Sequence, residues 1–156
     1  GISYFLSKKI GLNNLSVLIP KADKNVELNL GIGIIGELQE PLSEDVFFDL
    51  LKEKLDLKYL RHSEKINKKI SKISIVVGSG SFAIKNSIDS NVDAFITSDL
   101  KYHNFFEPDN NLVLVDIGHY ESENHIKLII KEFLNKKLPN FTHLLSEQNI
   151  NPVKYY

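Results

Sequence analysis

The chain predicts an α/β fold, a mixed, largely parallel sheet flanked by helices. Short apolar runs begin at Ile73, Ala94 and Leu112, starts about 20 residues apart. Each run ends in a small or polar corner, and each corner opens a stretch with apolar residues at helical spacing, the pattern of right-handed β-α-β units. With 156 residues, 42% hydrophobic and 25% charged, the chain can bury a core of its own, and residues 1–156 read as a single α/β unit.

Taken in order, Ile2, Phe5, Leu6 and Ile10 define a first helix that Gly11 stops. The chain enters this pattern at Gly1, without Met, as if met midway. Leu15 to Ile19 reads as a strand closed by Pro20. Residues 21–25 are polar and loop-like, and residues 26–38 are mostly β, interrupted by glycines. Gly31-Ile32-Gly33-Ile34-Ile35-Gly36 in that segment is a literal G-x-G-x-x-G. A dinucleotide site needs a helix to begin within the motif. Glu37-Leu38-Gln39-Glu40-Pro41 follows instead, so the alternative is a strand whose glycines allow close backbone approach.

Ser43 caps the next helix, with Glu44 and Asp45 in its first turn and Val46, Phe47, Leu50, Leu51 and Leu55 as its buried stripe. Leu57 to Leu60 reads as a short strand, and residues 61–72 as a solvated, lysine-rich loop. Ile73 to Val77 is a strand, followed by Gly78-Ser79-Gly80-Ser81 and a helix carrying Phe82, Ile84 and Ile88. Ala94 to Thr97 is a strand, followed by Ser98-Asp99 and a short helix over 101–106. Leu112 to Asp116 is a strand, after which Gly118-His119 opens a helix. Ile126, Ile129, Ile130, Phe133 and Leu134 mark its core face. Phe141 to Leu145 reads as one more strand, ahead of a mixed tail with Pro152 and paired tyrosines.

Bulk charge narrows the function. Nineteen basic and 20 acidic residues give a net charge of -1 and a pI near 6.6, so no global basic field favours nucleic acid. With no cysteine, disulfides, thiolate metal sites and a cysteine nucleophile are excluded. No apolar run approaches the roughly 20 residues that span a bilayer, and no signal peptide is visible. The expectation is a soluble cytoplasmic protein without a membrane partner.

The candidate chemistry lies at the carboxyl ends of the three regular strands, the edge where α/β sheets bind ligands. Gly78, Ser79, Gly80 and Ser81 offer backbone N–H groups to an anion, or simply make a tight strand-to-helix turn. Asp99, Lys101 and His103 follow the second strand; Ser98 and Asp99 also serve as ordinary helix caps. After the third strand, His119 and Glu123 lie four apart, on one helix face. An imidazole nitrogen and a carboxylate oxygen so spaced suit a divalent ion; the alternative is a His-Glu hydrogen bond. Asp116 reads as a further ligand or, preferably, as the acceptor that orients a histidine. His62, His125 and His143 read as structural or surface residues. Two ligands do not complete a catalytic site, so others must come from elsewhere.

Gly78 to Phe82, Ala94 to His103 and Asp116 to Glu123 resemble the Nif-three-like dinuclear metal-centre proteins, often labelled GTP cyclohydrolase I type 2 homologues. Gly31 to Leu38 and the tail residues 146–149 match in order, and the resemblance covers almost the whole chain. It implies that His119 and Glu123 are ligands at a centre of two divalent ions (zinc, iron, manganese or similar), with Asp99 and His103 lining the cavity. It further implies a homohexameric ring and metal-activated water acting on an unidentified small molecule, with a non-catalytic metal-stabilised scaffold as the alternative. Ile34 stands where the family pattern has Arg. The family's paired histidines and aspartate ligand lie upstream of the matched segment, so the resemblance is to the carboxyl-terminal part, an incomplete copy of a two-lobed fold.

Overall fold

The computed structural model describes residues 1–21, 30–148 and 150–154. Most of the expected 21–25 loop, the start of the β segment at Val26, Asn149 and the terminal tyrosines lie outside them. The described elements are α1 (Ile2–Ile10), β1 (Asn13–Pro20), β2 (Gly31–Leu42), α2 (Glu44–Leu55), β3 (Arg61–His62), β4 (Ile70–Ser79), α3 (Ile84–Asp89), β5 (Ala94–Ser98), β6 (Val113–Asp116), α4 (His119–Glu123) and α5 (Ile126–Lys137). Single 3-10 turns over Ser81–Ala83 and Tyr102–Phe106 precede α3 and follow β5.

The sheet runs β1-β2-β4-β5-β6-β3. Its parallel character is confined to β4-β5-β6; the β1/β2, β2/β4 and β3/β6 pairings are antiparallel. The sheet is therefore mixed, as expected, but less parallel than the sequence implies. Parallel neighbours need a long crossover, and only residues 80–112 supply two of them.

Side-chain alternation sorts the central strands onto two cores. Ile73, Ile75, Ala94, Ile96, Val113 and Val115 face Leu6, Ile10, Phe47 and Leu51 of α1 and α2. Val76, Phe95 and Leu114 face the opposite way, onto Ala83, Ile84, Val92 and Leu100. These strands are buried on both faces, which explains why they read as unbroken apolar runs. One polar tie lies within the second layer: Ser74 Oγ donates to Ser87 Oγ at 2.8 Å, and Ser87 Oγ donates to the Ala83 carbonyl at 3.0 Å.

The G-x-G-x-x-G run lies inside β2, paired on both sides, and starts no helix. Its glycines answer close approach. Gly33 has φ +72°, and a Cβ there would meet Val76 Cγ2 at 2.7 Å; at Gly36 it would meet Leu15 Cδ2 at 2.6 Å.

Four expectations change. Leu57 to Leu60 is not a strand. Asp56 takes the left-handed conformation (φ 55°) that ends α2, and Leu57, buried, returns its N–H to the Lys52 carbonyl at 3.0 Å. The strand comes later, at Arg61–His62, and Ile70 to Lys72 already belong to β4, so the 61–72 segment is loop only in its middle. Phe141 to Leu145 forms no strand: alternation shows which side chains share a face, not whether a sheet edge is within reach. The last helix breaks at Asn124–His125, and α5 buries none of its residues; Ile130 is 49% and Phe133 58% exposed. Periodicity identifies an apolar stripe but not what covers it.

Phe95→Ala, which empties a fully buried site, is expected to cost about 3–5 kcal/mol in urea denaturation. Phe133→Ala on α5 is expected to change stability by less than about 0.5 kcal/mol.

Candidate metal corner

Parallel register brings the carboxyl ends of β4, β5 and β6 level, through the pairs Ser79↔Ser98 and Thr97↔Asp116. Three side chains meet there. Asp99, at the end of β5, is left-handed with φ 57°, a conformation that costs a non-glycine residue roughly 1 kcal/mol. It turns the carboxylate back over the strand ends. Asp99 Oδ2 accepts from Ser79 Oγ at 2.5 Å and lies 2.6 Å from His119 Nδ1. The other ring nitrogen, Nε2, lies 3.3 Å from Glu123 Oε2. All three side chains are about half exposed.

The electrostatics follow from these contacts. The Ser79 hydroxyl, then the His119 ring, hold the Asp99 carboxyl below its usual range. Asp99, more than Glu123, raises His119 above the usual histidine range. An ionised Asp99 can only accept, so Nδ1 carries the proton and donates it. That leaves Nε2 as the nitrogen that can exchange its proton for another electrophile.

Neighbouring groups fix this geometry. Ser122 Oγ accepts from the Gly78 N–H at 3.2 Å and donates to the His119 carbonyl at 2.9 Å, joining α4 to the end of β4. Thr97 Oγ1 donates to the Gly78 carbonyl and Ser98 Oγ to the Gly118 carbonyl, both at 3.0 Å. Gly78 has φ +74°, a conformation that favours glycine, and a Cβ there would meet Glu123 Oε1 at 2.7 Å, so a side chain at this position displaces that carboxylate. At Gly80 a Cβ would meet Thr97 Oγ1 at 2.2 Å.

The residues expected here divide. Asp99, His119 and Glu123 converge. Asp116, buried, lines the cavity beside His119 but touches no histidine: it accepts from the Leu100 N–H at 3.0 Å and the Gly118 N–H at 2.9 Å, and pairs with Arg61. Asp99 is the carboxylate that orients His119. In the Gly78–Ser81 corner, the Gly78 N–H and the Ser79 hydroxyl are committed to protein partners, which fits a tight turn packed against β5. Lys101 and His103 are exposed on the 3-10 turn and do not line the cavity beside His119. Of the remaining histidines, His62 stacks on Phe48 at 4.5 Å and His143 contacts Asn135 Oδ1 at 3.0 Å. His125 is buried against Phe5, and that burial, with Lys9 and Lys127 nearby, lowers its pKa.

Sequence reading missed Ser122 and Arg61. Ser122, one residue before Glu123, looks like an ordinary helix-surface position. Arg61 sits in what reads as a loop, yet it bonds the Leu100 carbonyl at 3.0 Å and lies 5.4 Å from the Phe105 ring.

Two donors from one ion at about 2.1 Å in tetrahedral geometry lie roughly 3.4 Å apart. The 3.3 Å between His119 Nε2 and Glu123 Oε2 fits that span, and the Asp99 bond to Nδ1 supplies the support that metal-binding histidines have. Among the described residues no group of three or more His, Cys, Asp or Glu side chains could hold an ion.

Asp116→Ala strands two backbone N–H groups and Arg61. It is expected to lower stability by about 2–4 kcal/mol in chemical denaturation. Gly78→Ala is expected to displace Glu123, seen as loss of the His119–Glu123 contact in a crystal structure of the variant.

Comparison with known proteins identifies the relatives. A GTP cyclohydrolase 1 type 2 homolog of Staphylococcus epidermidis is 34% identical over 96% of this chain and 43% of its own length. The Clostridium acetobutylicum protein of the same description is 28% identical over 99% of this chain and 59% of its own. The chain thus spans about half the length of the curated relatives it matches. A hypothetical protein of Staphylococcus aureus has the same fold, with TM-score 0.84 at 22% identity, covering all of this chain and 64% of that one. A Bacillus cereus protein related to NIF3 gives TM-score 0.83 at 17% identity, over 100% and 70%. The model of the Duf34/NIF3 (NGG1p interacting factor 3) family matches residues 1–152, and the chain belongs to that family.

Proposed function

We propose that this chain contributes His119 and Glu123 to a two-ion divalent-metal centre of a metal-dependent hydrolase acting on a small molecule. The observation that carries the reading is the 3.3 Å approach of Nε2 to Glu123 Oε2, with Nδ1 held by Asp99. The remaining ligands come from another segment or a neighbouring subunit. The hydrolytic class rests on the relatives' description as GTP cyclohydrolase homologues.

A divalent ion held at this corner supplies Lewis acidity and lowers the pKa of water. The protein's own groups do the rest. Asp99 fixes the His119 ring plane and increases the electron density at Nε2. Ser79 keeps Asp99 ionised and turned toward the ring. Gly78 leaves the space Glu123 needs. The cavity beside His119, about 360 Å³ and lined by Arg61, Asp99 and Tyr120 among others, gives a small substrate a route to the corner.

A second reading is a non-catalytic ring of identical subunits, stabilised by metal. The exposed Ile130 and Phe133 of α5 favour it, because a subunit contact would cover them.

Metal analysis of the purified full-length protein separates these ideas. The first reading expects a bound divalent ion, lost in His119→Ala and held about 10–100-fold more weakly in Asp99→Ala. An ion content unaffected by His119→Ala would sink it. The ring reading expects chelation to lower the native mass while no hydrolysis is detected across a broad panel of substrates.

A further inference from the structure

We propose that the lysine-lined cavity next to the metal corner binds the phosphate group of a small phosphorylated substrate. This rests on the metal-corner reading for its chemistry, but the binding site itself stands on separate observations.

The first is convergence. A cavity of about 660 Å³ lies between the end of α2, α1, the α4–α5 junction and the tail. Lys9 from α1, Lys58 from the α2–β3 link, Lys127 from α5 and Lys154 from the tail all line it. Four cations from four segments face one cavity, in a chain whose net charge is -1. Two carboxylates share the lining, Asp56 and Glu121, so the lining remains net positive. Glu121 accepts from Asn151 Nδ2 at 3.1 Å, which commits part of its acceptor capacity.

The second observation is what these cations lack. The ammonium groups of Lys58, Lys127 and Lys154 make no hydrogen bond or ion pair among the described residues. Lys9 Nζ lies 3.5 Å from His125 Nε2 and pairs with no carboxylate among the described residues. Lys52, Lys54 and Lys65, by contrast, each pair with a carboxylate. Like charges held near one cavity repel one another, and an anion relieves that repulsion. Compact ammonium groups, each with three donors, suit phosphate oxygens as point charges.

The third is position. This cavity and the one beside His119 share Tyr59, Tyr120, Glu121, Asn151 and Val153. A ligand anchored by phosphate among the lysines can therefore extend past Tyr120 to His119. The lysines bind the non-reacting end, and the corner faces the reacting end. Binding energy from such a remote group is what orients a small substrate.

The test is calorimetric titration of the purified protein with inorganic triphosphate, at low and high salt. Binding should weaken with salt, and the Lys9→Gln/Lys127→Gln double variant should weaken it at least about tenfold. The Lys9→Arg/Lys127→Arg variant should retain binding, and unchanged thermal melting should show all variants folded. Binding should survive both chelation and His119→Ala. Triphosphate binding by a protein that holds no divalent ion as purified, before any chelator is added, would support the cleft and sink the metal reading it rests on. Loss of binding in His119→Ala or under chelation, with the lysine variants unaffected, would put the anion on the metal and overturn the proposal. Absence of triphosphate binding would overturn it, as would tighter binding of a single-stranded oligonucleotide than of triphosphate.

Discussion

The buried carboxylate of Asp116 is the interaction on which the corner depends. It sits at the end of β6, 3% exposed, where an uncompensated negative charge would be costly. Its compensation comes from three directions: Arg61 of β3, the N–H of Leu100 after β5, and the N–H of Gly118 before α4. One side chain therefore closes the sheet edge, fixes the loop after β5 and sets the turn into α4. Asp99 and His119 each lie one residue from a group that Asp116 holds. Their 2.6 Å contact is a consequence of that anchoring as much as of their own attraction.

Above this anchor, the site is held by short polar links rather than by apolar burial. Ser122, Thr97 and Ser98 each bridge two segments, and each bridge ends on backbone. Such links are directional, and these buried hydroxyls fix the orientation of the half-exposed groups beside them. Glycine at 78 completes the arrangement by leaving space where any side chain would intrude on Glu123. The corner thus combines rigid supports with half-exposed functional atoms, as a site for an incoming ligand requires.

The sheet and its central strands were legible because strands buried on both faces leave continuous apolar runs, as Ile73 to Val77 and Leu112 to Val115 do. His119 and Glu123 were legible because helix geometry converts a spacing of four into a shared face. The exchange of roles between Asp99 and Asp116 was not. Both follow strands, and only the left-handed backbone at Asp99 turns its carboxylate to the ring. Arg61 was hidden because a two-residue strand leaves no periodic signature. The lysine cavity was hidden for a different reason: its members are up to 145 positions apart, from Lys9 to Lys154, and only the fold unites them.

The break between α4 and α5 has a mechanical meaning. A five-residue helix is too short to be stable by itself. The His119–Glu123 pair therefore takes its geometry from the strand ends through Ser122, not from the longer helix that follows. Asn124 and His125 separate the two helices: α4 is tied to the sheet, while the start of α5 is held against α1, with His125 buried on Phe5.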